Sequence, residues 1–156
     1  MKKIFALLFL STFLFTSCVD DDDFDTIGLT FEFTTTFNNA NGYADRFFFN
    51  ENIFDSDVVL VYRLEDVDNG LDVWEPLPTA TILLNDVDDT TVLYRFNFTS
   101  GDVDILLESN NPDLVPADLT NNQTFRIVVV PASFAENTEI DLLDFKAVQS
   151  ALNLEF

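Results

Sequence analysis

Ile27-Gly28-Leu29-Thr30-Phe31-Glu32-Phe33-Thr34-Thr35-Thr36-Phe37 places its large apolar side chains at odd positions, with Thr30, Glu32, Thr34 and Thr36 between them. A period of two puts alternate side chains on opposite faces of an extended chain, so this stretch predicts a strand with one dry and one wet face. Val92, Tyr94, Phe96 and Phe98 repeat the pattern. The segments Val58 to Leu64, Val103 to Leu107 and Phe125 to Val130 are more continuously apolar and predict central strands buried on both sides. Shorter strands are expected at Arg46 to Phe49, Val73 to Leu77 and Thr81 to Leu84.

Turn residues separate these strands. Asn69-Gly70 lies at the centre of Glu65 to Asp72 and readily takes positive φ, which predicts a hairpin. Asn41-Gly42, Ser100-Gly101 and Asn110-Asn111-Pro112 mark further connections. One helix is expected near the end, capped by Thr138 with Asp141 in a capping-box-like position, and with Leu142, Phe145, Val148, Ala151 and Leu152 forming an apolar stripe over one end or face of the sheet. Seven or eight short strands and one late helix predict an all-β fold, an antiparallel β-sandwich immunoglobulin-like in outline, with a small barrel as the alternative.

At the other end of the chain, Lys2 and Lys3 precede an apolar run from Ile4 to Phe15, and Thr16-Ser17 stand directly before the only cysteine, Cys18. A run of about a dozen apolar residues suits a signal peptide and falls short of the roughly 20 needed to span a bilayer. Phe15-Thr16-Ser17-Cys18 resembles the lipobox of bacterial lipoproteins, with Phe15 where leucine is usual. The resemblance implies lipidation at Cys18 after cleavage of residues 1–17, and so attachment to a membrane through that lipid. The following Val19-Asp20-Asp21-Asp22-Asp23-Phe24-Asp25 resembles the acidic export tag of surface lipoproteins of the Bacteroidota. That implies an outer-membrane protein facing the cell exterior, with residues 18–26 as an acidic tether and 27–156 as one domain. The segments Asp57 to Leu64, Asp72 to Pro78 and Gln123 to Pro131 are similar to those of small flavobacterial lipoproteins. Asp25-Thr26-Ile27 and Asp89-Thr90-Thr91 resemble the O-glycosylation motif of the same phylum, which implies sugars on Thr26 and Thr90.

Composition narrows the chemistry. Loss of Lys2 and Lys3 with the signal leaves 5 basic against 28 acidic side chains, a formal charge of −23. Nucleic-acid binding is excluded, because phosphate neutralisation needs clustered Lys and Arg. With no histidine and one thiol destined for lipid, histidine acid-base catalysis, a cysteine nucleophile and an ordinary zinc site are absent from the repertoire. No catalytic residue and no cofactor are expected beyond the lipid on Cys18.

Three features remain as site candidates. Asp66, Asp68 and Asp72, with Asn69, offer oxygen ligands of the kind calcium prefers. Counted from Asp66, however, Gly70 stands fifth and Leu77 twelfth, where a helix-loop-helix calcium loop needs glycine sixth and a bidentate glutamate twelfth. A solvated hairpin is therefore the expected reading, and the same weighting applies to Asp86, Asp88 and Asp89. Arg63, Arg95 and Arg126 each follow an aromatic residue on a strand and could gather on one face to bind a carboxylate or a sugar; pairing with acids across strands is the expected alternative. Trp74 is expected in the core, with an exposed sugar-stacking platform as its other reading. The function these features predict is a non-enzymatic surface module that binds an envelope protein or glycan partner or serves as an accessory subunit. A calcium-dependent carbohydrate or adhesion module is the alternative, and a hydrolase using paired carboxylates the third.

Overall fold

The computed structural model describes residues 28–84, 86–137 and 139–154. The expected signal and tether, with Cys18, Asp20, Asp21, Asp22, Asp23 and Thr26, lie outside the described residues, as do Ile27 and Thr138.

Eight strands form two four-stranded antiparallel sheets. Sheet A has the order β1 (Leu29–Thr35), β8 (Gln123–Val130), β3 (Val58–Asp68) and β4 (Leu71–Pro76); sheet B has β2 (Ala44–Phe48), β7 (Asp102–Ser109), β6 (Thr90–Phe98) and β5 (Ile82–Leu84). The sheets share no strand, so the fold is the expected sandwich and not the barrel. Among the described residues, three short α-helices complete it, α1 (Ala117–Thr120), α2 (Ala132–Asn137) and α3 (Phe145–Ala151), with 3-10 turns at Asn39–Asn41 and Pro112–Leu114.

The alternation in β1 is used as the sequence predicts at Phe31 and Phe33, whereas Leu29, at the start of the strand, is 50% exposed. Phe31 and Phe33 lie opposite Ile127 and Phe125 and turn inward, while Glu32 lies opposite Arg126 and turns out. Their rings interleave with those of the facing sheet: Phe31 lies 5.2 Å from Phe47, and Phe33 5.8 Å from the same ring. Phe37, just beyond the strand, is buried against Tyr94 and Phe125. Completely burying one such side chain contributes roughly 1.5–3 kcal/mol, so this intersheet layer dominates the fold's stability.

A second, smaller core lies on the other side of sheet A. Tyr62, Val128 and Val130 project from its outer face and are covered by Phe145, Val148 and Leu152 of the C-terminal segment. That cover explains why β3 and β8 read as continuous apolar runs: both faces are dry. β7 is a correction to the same expectation. Val103, Ile105 and Leu107 are buried, but Asp102 and Asp104 turn outward to Arg46, because no helix covers sheet B on that side among the described residues.

The late helix also differs from expectation. It begins at Phe145, and Asp144 caps it through bonds from the Lys146 and Ala147 amides at 2.9 and 3.2 Å. Asp141 instead closes a turn, its carboxylate accepting from the Leu143 amide at 2.9 Å. The Leu142 carbonyl, which a longer helix would use internally, accepts from the Tyr62 hydroxyl at 2.6 Å. A tertiary bond has thus replaced the first expected helical turn.

Candidate functional site

Opposed residues on paired antiparallel strands share a face, so register decides which side chains meet. Tyr62 pairs with Arg126 and Arg63 with Phe125, which sends Arg126 to the outer face of sheet A and Arg63 into the intersheet core. Arg95 projects from sheet B, opposite Leu106. The three arginines therefore do not gather, and each meets acid instead: Arg63 with Glu75, Arg95 with Glu108, and Arg126 with Glu32 and Asp72.

Arg63 is 5% exposed. Its Nε donates to Gln123 Oε1 at 3.0 Å, its guanidinium lies 4.5 Å from the Tyr94 ring centre, and Nη1 stands 3.7 Å from Glu75. Burial is the main cause that raises the Glu75 carboxyl above its ordinary range; Glu65 adds to the rise, and Arg63 opposes it. This network ties the two sheets together inside the domain.

The outer face of sheet A holds a cleft. Asp72 and Trp74 project from β4, Arg126 from β8, and Phe145, Lys146 and Gln149 from α3, enclosing about 290 Å³. A second hollow of about 350 Å³ adjoins it along Trp74, Phe145 and Lys146. The Arg126 guanidinium lies 4.2 Å from the Trp74 ring centre and 5.2 Å from that of Phe145. It reaches Glu32 at 3.4 Å and Asp72 at 3.8 Å. Trp74 is half-buried against the second core with one face under a cation, which is nearer the expected core tryptophan than an open platform. Among the described residues, Lys146 is the one cation with no carboxylate partner. The cleft can thus offer a carboxylate, an amide and an ammonium group beside aromatic surface, a set suited to holding a ligand by polar contacts.

The acidic candidates are dispersed. Asp66 pairs with Val73, Val67 with Asp72 and Asp68 with Leu71, so Asp72 faces the opposite way from Asp66 and Asp68. The Asp66 carboxylate accepts from the Val67 amide at 2.8 Å, and that of Asp68 from the Asn69 side chain at 2.9 Å. Asp86, Asp88 and Asp89 are exposed in the β5–β6 turn, where Asp88 and Asp89 take φ of 52° and 49°. Among the described residues, no group of three acids stands close enough to hold a metal ion. Thr90, the second residue to which the motif assigns a sugar, is 0% exposed at the start of β6.

Sequence reasoning did not bring Lys146 and Gln149 to Trp74. The only available indication was that Lys146 is the sole lysine after Lys3 and directly follows Phe145. The chain matches no family model, and no curated protein or solved structure matches it.

Proposed function

We propose that the protein is a lipid-anchored, non-enzymatic module of the outer membrane, facing the cell exterior, which binds a partner or serves as an accessory subunit there. The observation that carries this reading is the order of features at the N-terminus: Lys2 and Lys3, an apolar run, Thr16-Ser17, the single Cys18, then Asp20 to Asp23. A chain that lacks histidine, and whose one thiol is assigned to lipid, has few groups for catalysis and many for contact. The aromatic and polar cleft beside Trp74 supports binding as the domain's task. The calcium-dependent alternative gains no support from a register that turns Asp72 away from Asp66 and Asp68.

Metabolic labelling with a clickable palmitate analogue tests the anchor. The wild-type chain should take the label and the Cys18→Ala chain should not; an unlabelled wild type refutes the anchor. Protease shaving of intact cells tests orientation. Replacing Asp20, Asp21, Asp22 and Asp23 by alanine should leave the label in place and remove the domain from protease reach.

A further inference from the structure

The β3–β4 hairpin runs on past the sheet that carries it. β8 pairs with β3 only as far as Arg63, so residues 65–73 continue as a two-stranded ribbon in which every residue is exposed. Such a ribbon is marginal by itself, because it lacks the third strand or covering helix that would bury one face. It nevertheless carries apolar side chains at Val67, Leu71 and Val73, which are 53%, 65% and 37% exposed. Leu71 and Val73 lie together on one face of β4, and Asp72 and Trp74 alternate onto the other. β4 ends its sheet, and the backbone of Leu71–Pro76 makes no hydrogen bond outside its pairing with β3 among the described residues. Edge strands are usually protected by charge, lysine above all, by proline, by bulges or by a short length; β4 carries Asp72 and Glu75 and closes at Pro76, so its edge from Leu71 to Glu75 repels an acidic strand and leaves a basic one acceptable.

We propose that this ribbon is a docking arm whose β4 edge receives a strand from a separate, basic partner protein. The added strand would lie beside β4, with apolar residues against Leu71 and Val73 on one face and lysine or arginine beside Asp72 on the other. Its chemistry is therefore an alternation of apolar and basic side chains, recognised by main-chain bonds and by both faces at once. Glu65, Asp66, Asp68 and Asp72 make the arm uniformly negative, and the domain as a whole is strongly acidic. A second copy would bring two such arms together and be repelled, whereas a basic strand is attracted. This rests on the reading of the domain as a binding module. It is decided apart from the anchor, because palmitate labelling at Cys18 and peptide binding at β4 can fail independently.

Trp74 is the only tryptophan and stands on β4, so its emission reports the site directly. Titrating the full mature protein with a synthetic peptide that alternates valine and lysine should give a saturable change in that emission. It should also slow hydrogen exchange in residues 71–75, and a peptide alternating valine and glutamate should do neither. Replacing Leu71 and Val73 by serine should weaken binding roughly tenfold or more, as expected for truncated anchor residues. If that variant fails to fold, Asp72→Asn should weaken binding in its place. Converting Asp66, Asp68 and Asp72 to asparagine should weaken it far more than the charge-matched conversion of Asp86, Asp88 and Asp89. Equal losses from the two sets would mean diffuse charge attraction and overturn the proposal. So would the absence of saturation, protection appearing at another strand, or self-association through the arm in the absence of peptide.

Discussion

Replacing Tyr62 by phenylalanine isolates one bond that holds the C-terminal segment to sheet A. Tyr62 is 1% exposed, its hydroxyl donates to the Leu142 carbonyl at 2.6 Å, and its ring meets that of Phe145 edge-on at 5.0 Å. Phenylalanine keeps the ring contact and removes only the donor. A net hydrogen bond contributes roughly 0.5–1.5 kcal/mol, and an acceptor left dry costs up to about 3 kcal/mol. Leu142 is half-buried, so water reaches its freed carbonyl in part and the expected cost is about 1 kcal/mol. For a domain of this size that lowers Tm by roughly 3–5 °C. Hydrogen exchange locates the loss: amides of residues 146–152 should exchange roughly fivefold faster, because about 1 kcal/mol of their opening free energy is gone. Amides of β6 and β7, which contribute nothing to the second core, should change only with global stability. A variant with unchanged Tm and unchanged exchange in α3 would show that the bond does not form in solution. A loss centred on sheet B would refute the separation of the two cores.

Alkaline titration gives the second expectation. Burial, the largest cause in each case, raises the phenol of Tyr62 and pushes that of Tyr94 up to about 12, while Arg63 pulls the latter back. Between the ordinary tyrosine value and these raised ones the folded state holds more protons than the unfolded, so stability falls as pH rises through roughly 10 to 12. Tyrosinate absorbance should show Tyr43 ionising first, with Tyr62 and Tyr94 following only as the circular-dichroism signal is lost; ionisation of all three before unfolding would refute this. Thr90→Val should raise Tm, because the Thr90 hydroxyl is buried without a hydrogen-bond partner and an apolar group of similar shape relieves about 1 kcal/mol; a lowered Tm in thermal melts would mean that the hydroxyl is satisfied in solution. Millimolar calcium, compared with a chelator, should move Tm by no more than about 1 °C, whereas a rise of several degrees would reveal a site that binds the folded state.

Strand positions were legible because each strand of a sandwich needs only its own alternation to declare itself: all eight predicted segments correspond to β1 through β8. What alternation cannot supply is the partner. It places Arg63 and Arg126 opposite their aromatic neighbours, yet only the pairing of Tyr62 with Arg126 sends one arginine inward and the other out. The irregular register between Leu64 and Asp66 likewise fixes the faces of Asp66 and Asp72, and no residue in that stretch announces it. The cleft was illegible for a related reason. Trp74 and Lys146 belong to a strand and a helix whose meeting depends on how the C-terminal segment folds back, and no spacing in the chain encodes that distance. Thr138 and Asp141 have the composition of a helix start, but the Tyr62 bond to Leu142 favours a turn there.

The order of strands in sheet A also constrains when the domain can assemble. β1 has no neighbour but β8, and Leu29 pairs with Val129, a hundred residues further along. As the chain emerges from the ribosome, the first strand must stay unpaired until the last of the eight is made, whereas β6 and β7 are joined by a tight turn and can meet at once. Long-range pairing of this kind makes folding slow, because the loop must close before the contacts reward it. A slow closing step leaves the edge of β8 open for longer after synthesis, so the last strand made decides when sheet A is complete.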